Sequence, residues 1–197
     1  MKRLLVCALL GSALAMPAYA ALKPGDKAAD FSARASLAGK EFGFSLKAAL
    51  AKGPVVVYFY PAAYTRGCNI EAHTFAENAD KFAAAGATII GVSRDTIAKL
   101  NQFSADPEYC AGKFAVAADA DGSIAKSYDL KVSPVREGAK DTKGQDITTE
   151  FTERTTFVIT QDAKVVSTLS SNDDKISPED HVLKSLALVE QIKTAKK

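Results

Sequence analysis

Val55-Val56-Val57-Tyr58-Phe59-Tyr60, followed at once by Pro61-Ala62-Ala63-Tyr64-Thr65-Arg66-Gly67-Cys68, is the stretch that decides the fold. Six β-branched and aromatic residues in a row read as a strand buried on both faces. Pro61 ends the run and Thr65 can cap a helix, so the Cys68 thiol arrives in a first helical turn at the edge of an α/β sheet. There the free N–H groups and the helix dipole favour a thiolate, which makes Cys68 a candidate nucleophile. A cysteine is often no more than a small buried apolar residue, but a place at a helix start beside Thr65 argues against that reading.

Outward from this stretch the chain alternates between strands and helices. A short strand over 41–44 and a short helix over 45–51 precede the central strand at 55–60. A helix over 66–85 follows, with Ala72, Phe75, Ala76, Ala79, Phe82 and Ala83 on its apolar face and Gly86 as its stop. Then come a strand over 88–93, a helix over 96–104 with Ile97, Leu100 and Phe103 turned inward, a strand over 114–117 and a helical turn over 122–128. Residues 155–160 and 165–169 form a hairpin around Gln161-Asp162-Ala163-Lys164. The last helix opens on Ser177 as N-cap with Pro178 in its first position and Asp180 as a short capping-box acid, and its buried stripe is Val182, Leu183, Leu186, Val189 and Ile192. The polar stretch 133–150 reads as a mobile loop. The fold class is α/β, a central mixed sheet with helices on both faces and an antiparallel hairpin at its end.

The first twenty residues have the layout of a secretory signal peptide. Lys2 and Arg3 lead into an apolar core from Leu4 to Ala15, and Ala18-Tyr19-Ala20 is a small-x-small cleavage site. The apolar stretch is shorter than the roughly 20 residues of a bilayer-spanning helix, so the expectation is an exported, periplasmic or secreted protein with no stable membrane insertion. Too few apolar residues precede Cys7 for a lipoprotein signal, and Cys7 is lost with the leader. Loss of Lys2 and Arg3 leaves 23 basic against 23 acidic residues. A formally neutral chain does not point to a surface for nucleic acid or acidic membrane. Residues 21–197 then make one domain, large enough for its own core. It keeps Cys68 and Cys110, which composition alone leaves open as a structural disulfide or as a pair cycling between dithiol and disulfide.

Two separated segments carry a resemblance. Pro61-x-x-x-Thr65-x-x-Cys68 with Glu71, preceded by Phe59-Tyr60, resembles the active-site segment of the peroxiredoxins, and Glu153-Arg154-Thr155-Thr156-Phe157-Val158-Ile159 resembles their downstream arginine strand. The similarity runs in order from about residue 23 to 169 and takes in Gly91-Val92-Ser93-Arg94-Asp95 and Asp119-Ala120-Asp121-Gly122. It is nearest to the Q type, the bacterioferritin-comigratory group, which implies a thioredoxin-like fold and a thiol peroxidase without a bound cofactor. On this resemblance Cys68 attacks a hydroperoxide, Thr65, the Cys68 N–H and Arg154 stabilise charge on the breaking O–O bond, Glu71 orients arginine, and Pro61 shapes the pocket and excludes water. Many Q-type members carry a second cysteine five residues after the first, where this chain has His73. Cys110 is then the remaining candidate resolver, the alternative being a spectator in a one-cysteine enzyme, with a thioredoxin-like dithiol as the external reductant and a monomer or weak dimer as the assembly.

Physical chemistry sets what each of these groups has to supply. Taking a thiol from a pKa of about 8.5 to about 6 raises its thiolate fraction at pH 7 roughly 30-fold, or about 2 kcal/mol, where enzymes commonly supply at least about 8. The larger share has to come from placing the peroxide and stabilising the charge that develops on it. Without the resemblance, Arg154 reads as an ordinary surface or salt-bridging residue, Thr65 as a plain cap and Pro61 as a strand stop. Other chemistry has little support: His73 and His181 are too few and too far apart for a metal site, no C-x-x-C or H-E-x-x-H occurs, Ser93 lacks the second glycine of a hydrolase elbow, and the 119–122 stretch lacks the final glutamate of a calcium loop. A thioredoxin-fold disulfide exchanger and a non-catalytic binding or chaperone module are the competing functions. A reduced-insulin assay or alkylation of Cys68 across pH tells them apart from a peroxidase.

Overall fold

A computed structural model describes residues 20–195, so all of the expected signal peptide except Ala20 lies outside the described residues. In chain order the elements are β1 (Ser32–Leu37), β2 (Lys40–Ser45), α1 (Leu46–Leu50), β3 (Val55–Phe59), α2 (Arg66–Ala84), β4 (Thr88–Ser93), α3 (Ile97–Ala105), β5 (Ala115–Ala118), α4 (Ser123–Ser127), β6 (Val132–Ser133), β7 (Phe151–Thr152), β8 (Thr155–Ile159), β9 (Val165–Ser170) and α5 (Pro178–Ala195). Seven strands share one sheet in the order β2-β1-β5-β4-β3-β8-β9, while β6 and β7 form a separate ribbon. β3, β4 and β5 run parallel because α2 and α3 carry the chain back between them; the outer strands join antiparallel through β1/β5 and β3/β8. The sheet is therefore mixed, as the sequence predicts.

β3 lies near the middle of this order and shows why its sequence has no polar alternation. Val55, Val57 and Phe59 face one core, with Leu46 and Leu50 from α1, Ile124 from α4 and Tyr128 just after it. Val56, Tyr58 and the following Tyr60 face the other, with Phe75, Phe82, Leu100, Phe103, Val182 and Val189 from α2, α3 and α5. Both sets are buried, so helices cover both faces. The Tyr58 ring stacks on Phe75 at 4.5 Å and needs a bare partner across the ladder: its register mate is Gly91, where an added Cβ would lie 2.6 Å from the ring. Cys68 and Cys110 both belong to this second core.

Several sequence expectations change in the fold. β1 was not foreseen; it carries Ala and Ser in place of branched side chains, yet it joins β2 to the sheet through β5. Tyr60 lies just beyond β3, although its N–H still bonds to the Val92 carbonyl at 3.1 Å. The capping box at Ser177 forms as expected, with Asp180 N–H donating to Ser177 Oγ at 3.2 Å and Ser177 N–H to Asp180 Oδ2 at 3.4 Å. Leu183 is half exposed rather than buried, because α5 packs chiefly on α2 and β8 and its core stripe runs through His181, Val182, Ser185, Leu186 and Val189. On α2, Ala83 is exposed, while the polar residues Asn69, Glu71 and Asn78 are buried. The 133–150 stretch is folded against the molecule through a tight turn near Asp141.

Candidate active site

Thr65 is the N-cap of α2, as expected, with extended φ and ψ of -93° and 149°, but its hydroxyl does not cap the helix. It donates back to the Ala62 carbonyl at 2.9 Å. The first intrahelical bond is Asn69 N–H to the Thr65 carbonyl at 2.8 Å, so the N–H groups of Arg66, Gly67 and Cys68 lie ahead of the helical ladder and no side chain closes them. Three donors in the nucleophile's own turn are thus left for substrate oxygen. With its hydroxyl proton committed to Ala62, Thr65 Oγ1 has only acceptor capacity left, where the resemblance implies a donor.

Arg154 comes from the short connection between β7 and β8, yet one of its Nη atoms donates to Cys68 Sγ at 3.2 Å across 86 residues of sequence. The other Nη pairs with Glu71 Oε2. The fork is thus divided, one tine holding the carboxylate and one the sulfur. Glu71 is fully buried, and burial pushes its carboxyl up to about 7 against the pull of Arg154. Burial opposes the charge on Arg154 too, but Glu71 and Cys68 more than offset it and raise its pKa further above the usual arginine range. Gly67 makes room for this guanidinium: an added Cβ there would stand 3.1 Å from Arg154 Nη2 and 3.6 Å from Pro178 of α5. Sequence reading passed over Gly67, and only its place directly before the thiol could have marked it.

The turn that delivers the helix is held from behind. Asp95, buried, accepts from the Ala63 N–H at 2.7 Å and from Ser93 Oγ at 2.9 Å. Pro61, partly buried, opens this turn, and Tyr64 closes it at φ +64°, an uncommon left-handed conformation for an aromatic residue. Arg154 is thus brought to Cys68 by a direct contact, while Pro61 and Thr65 lie in the turn that leads into α2. Cys110 is not joined to them: Cys68 and Cys110 are both free thiols, and Cys110 is fully buried after α3, where burial and then the Asp106 charge push its thiol well above the ordinary range. Among the described residues no group of three or more His, Cys, Asp or Glu could hold a metal ion, and no helix is long and apolar enough to cross a membrane.

His181 of α5, also buried, lies behind the arginine strand, with Thr156 Oγ1 2.9 Å from its Nδ1 and Ser171 Oγ 2.9 Å from its Nε2. Burial, together with the nearby Arg154 charge, lowers its pKa from 6.5 to about 4. The unfolded chain then takes up a proton on this ring between about pH 6.5 and 4 where the folded one does not, so its contribution to stability falls by about 3 kcal/mol as the pH drops through that window. Glu71 acts in the opposite sense between its ordinary value of 4.5 and about 7. The measurement is therefore the difference in urea-unfolding free energy between wild type and His181→Gln at pH 7 and at pH 4.5. The difference is expected to shrink at the lower pH; an unchanged difference sinks the assignment.

Comparison with known proteins bears on this geometry. Residues 24–168 match the AhpC/TSA family model. The structure is similar to the peroxidoxin BcpB of Mycobacterium tuberculosis, with a TM-score of 0.69 and 32% identity over 87% of this chain and 98% of that one. It is also similar to the peroxiredoxin Q of Xanthomonas campestris, with a TM-score of 0.63 and 28% identity over 81% and 90%. In sequence, the peroxiredoxin Bcp of Xanthomonas campestris is 31% identical over 112 residues, 57% of this chain and 63% of that protein. The thiol held by an arginine fork in an uncapped first turn thus sits on a matching thioredoxin-like scaffold, and the chain belongs to the AhpC/TSA family: it is a peroxiredoxin, a thiol peroxidase.

Proposed function

We propose that this peroxiredoxin reduces hydrogen peroxide and small organic hydroperoxides through a Cys68 sulfenic acid, resolves it with Cys110, and is recycled by a thioredoxin-like dithiol. The observation that carries the reading is the divided Arg154 fork, which sets a permanent cation 3.2 Å from Cys68 Sγ beside the open N–H groups of the first turn. Cys68 sulfur attacks one peroxide oxygen and forms the S–O bond as the O–O bond breaks; the other oxygen leaves with a proton as water or alcohol. On this reading Arg154 and the Cys68 N–H stabilise charge on those oxygens, Thr65 Oγ1 accepts from the peroxide O–H, and Pro61 limits water.

The sulfenic acid then condenses with the Cys110 thiol, forming the disulfide and releasing water, and exchange with an external dithiol restores both thiols. Both thiols are free and buried in the folded form described here. A disulfide needs Cα atoms within about 7 Å, and on this reading both segments open locally to bring the sulfurs together. The signal-like layout of residues 1–20 supports a periplasmic or secreted protein, and the assembly proposed for it is a monomer or weak dimer.

The test uses purified, reduced protein with no donor present. One equivalent of peroxide is expected to disappear stoichiometrically and to leave a Cys68–Cys110 peptide in non-reduced digests. Cys110→Ser is expected to consume that first equivalent too, but to accumulate Cys68 sulfinic acid when more peroxide follows. A lasting Cys68 sulfenic acid beside a free Cys110, or a disulfide-linked dimer, overturns the intramolecular step. No peroxide loss overturns the whole reading.

A further inference from the structure

In the Cys110 step proposed above, the segments that open are the 61–65 turn ahead of α2 and the 106–112 segment after α3. The turn at 141–145 touches both. Asp141 shapes that turn by accepting from the N–H groups of Lys143 and Gln145 at 2.9 and 3.0 Å. Lys99 Nζ stands 3.2 Å from Asp141 and 3.5 Å from Asp95, the carboxylate that holds the Ala63 N–H. From this fixed base Thr142 donates both its N–H and its hydroxyl to the Tyr64 carbonyl, each at 2.8 Å, and accepts from Asn69 of α2 at 3.2 Å. Lys143 Nζ lies 3.8 Å over the Tyr64 ring and 3.0 Å from Asp106.

Tyr64 is therefore held in its left-handed conformation by contacts from outside its own segment, since an aromatic side chain does not favour that conformation by itself. Its ring packs on Tyr109, the residue before Cys110, with centroids 5.6 Å apart. His73 adds a tie from α2, with Nδ1 2.9 Å from the Glu108 carbonyl. In the core that holds both cysteines the Tyr58 hydroxyl is buried without a hydrogen-bond partner, an arrangement that local opening to water would relieve.

We propose that Thr142 and Lys143 form a latch across the Cys68 turn and the Cys110 segment, whose release lets the two thiols join and whose strength sets how Cys68 sulfenic acid divides between disulfide closure and overoxidation. This rests on the Cys110 step proposed above. One ammonium spans the ring of one segment and the carboxylate of the other, so losing it loosens both together. The sulfenic acid either loses water with the Cys110 thiol to give the disulfide, or takes an oxygen from a second hydroperoxide, releases water or alcohol and becomes sulfinic acid. Opening favours the first course because only the open form brings the sulfurs into reach, while the closed form keeps the sulfenic acid in the peroxide site.

The experiment follows reduced wild type, Lys143→Met, Thr142→Val and Lys143→Arg after one equivalent of hydrogen peroxide, by quenched alkylation and mass spectrometry of non-reduced digests. Lys143→Met and Thr142→Val are each expected to speed closure on the order of 3- to 10-fold, from the ordinary strength of one such contact. Sulfinic acid under excess peroxide falls correspondingly. The first equivalent is still consumed within about twofold of the wild-type rate, because the closed form stays dominant. Lys143→Arg keeps both contacts and restores wild-type closure. Hydrogen exchange of the reduced proteins supplies a readout independent of the disulfide, with 61–65 and 106–112 both exchanging faster in Lys143→Met. Closure at wild-type speed in both loosened variants overturns the latch and leaves the Cys110 step standing, as does faster exchange confined to one segment. A wild type that forms no Cys68–Cys110 disulfide overturns the Cys110 step and the latch with it.

Discussion

Cys68→Ser is expected to lower peroxide reduction by at least about 10⁴-fold, the scale on which removal of a nucleophile acts, in a protein that still folds. The loss is chemical. Serine oxygen can occupy the place of the sulfur and accept from Arg154, but it has no comparable nucleophilicity toward peroxide and cannot hold the transferred oxygen as a sulfenic acid. The fold survives because the change removes little volume from a buried position and leaves the Glu71 and Arg154 pair intact. Peroxide consumption with a dithiol donor, read beside the thermal unfolding midpoint, checks both halves. Turnover within tenfold of wild type would move the nucleophile elsewhere, and Cys110 would be the residue to examine.

Arg154→Lys is expected to reduce the rate about 10²- to 10³-fold, the cost of losing one well-placed donor to developing charge. A lysine keeps the cation but presents one ammonium where the guanidinium presents two tines, and in this site the tines have different partners, Glu71 and Cys68 Sγ. An ammonium drawn to the buried carboxylate leaves the sulfur and the peroxide without their donor. The lysine variant is preferable to a neutral one, because stripping all charge from opposite Glu71 would leave a buried carboxylate unpaired at a cost of about 3–5 kcal/mol. Steady-state kinetics of Arg154→Lys, alone and with Glu71→Gln, give the result. A fall of less than about fivefold would show that charge alone suffices and that the fork is not used.

The segment from Val55 to Cys68 was legible because every signal in it is local. β-branched and aromatic residues select a strand, the turn after Pro61 breaks it, and a helix start places Cys68 within three residues of its cap. The capping box at Ser177 and Asp180 was legible for the same reason, its two hydrogen bonds joining residues three apart. Arg154 was found only through family resemblance, since nothing in Glu153-Arg154-Thr155 shows that the guanidinium will face a sulfur 86 residues away. Glu71 was likewise tied to arginine only through the resemblance, and the same limit hid Leu183 as an exposed residue on an otherwise apolar stripe.

By itself the sequence determined the strand, the helix start, the thiol at its first turn and the alternation that makes an α/β sheet, because propensity, periodicity and capping act over one or two turns of chain. The tertiary structure alone decided that the Thr65 hydroxyl turns back to Ala62 and leaves the first-turn N–H groups open, and that Arg154 divides its fork between Glu71 and Cys68. It also decided that Thr142 and Lys143, in what reads as a featureless loop, close over Tyr64. These contacts follow from strand order, which sets β8 beside β3 and β4 on its other side, and strand order is fixed by packing two cores at once rather than by any one stretch of residues.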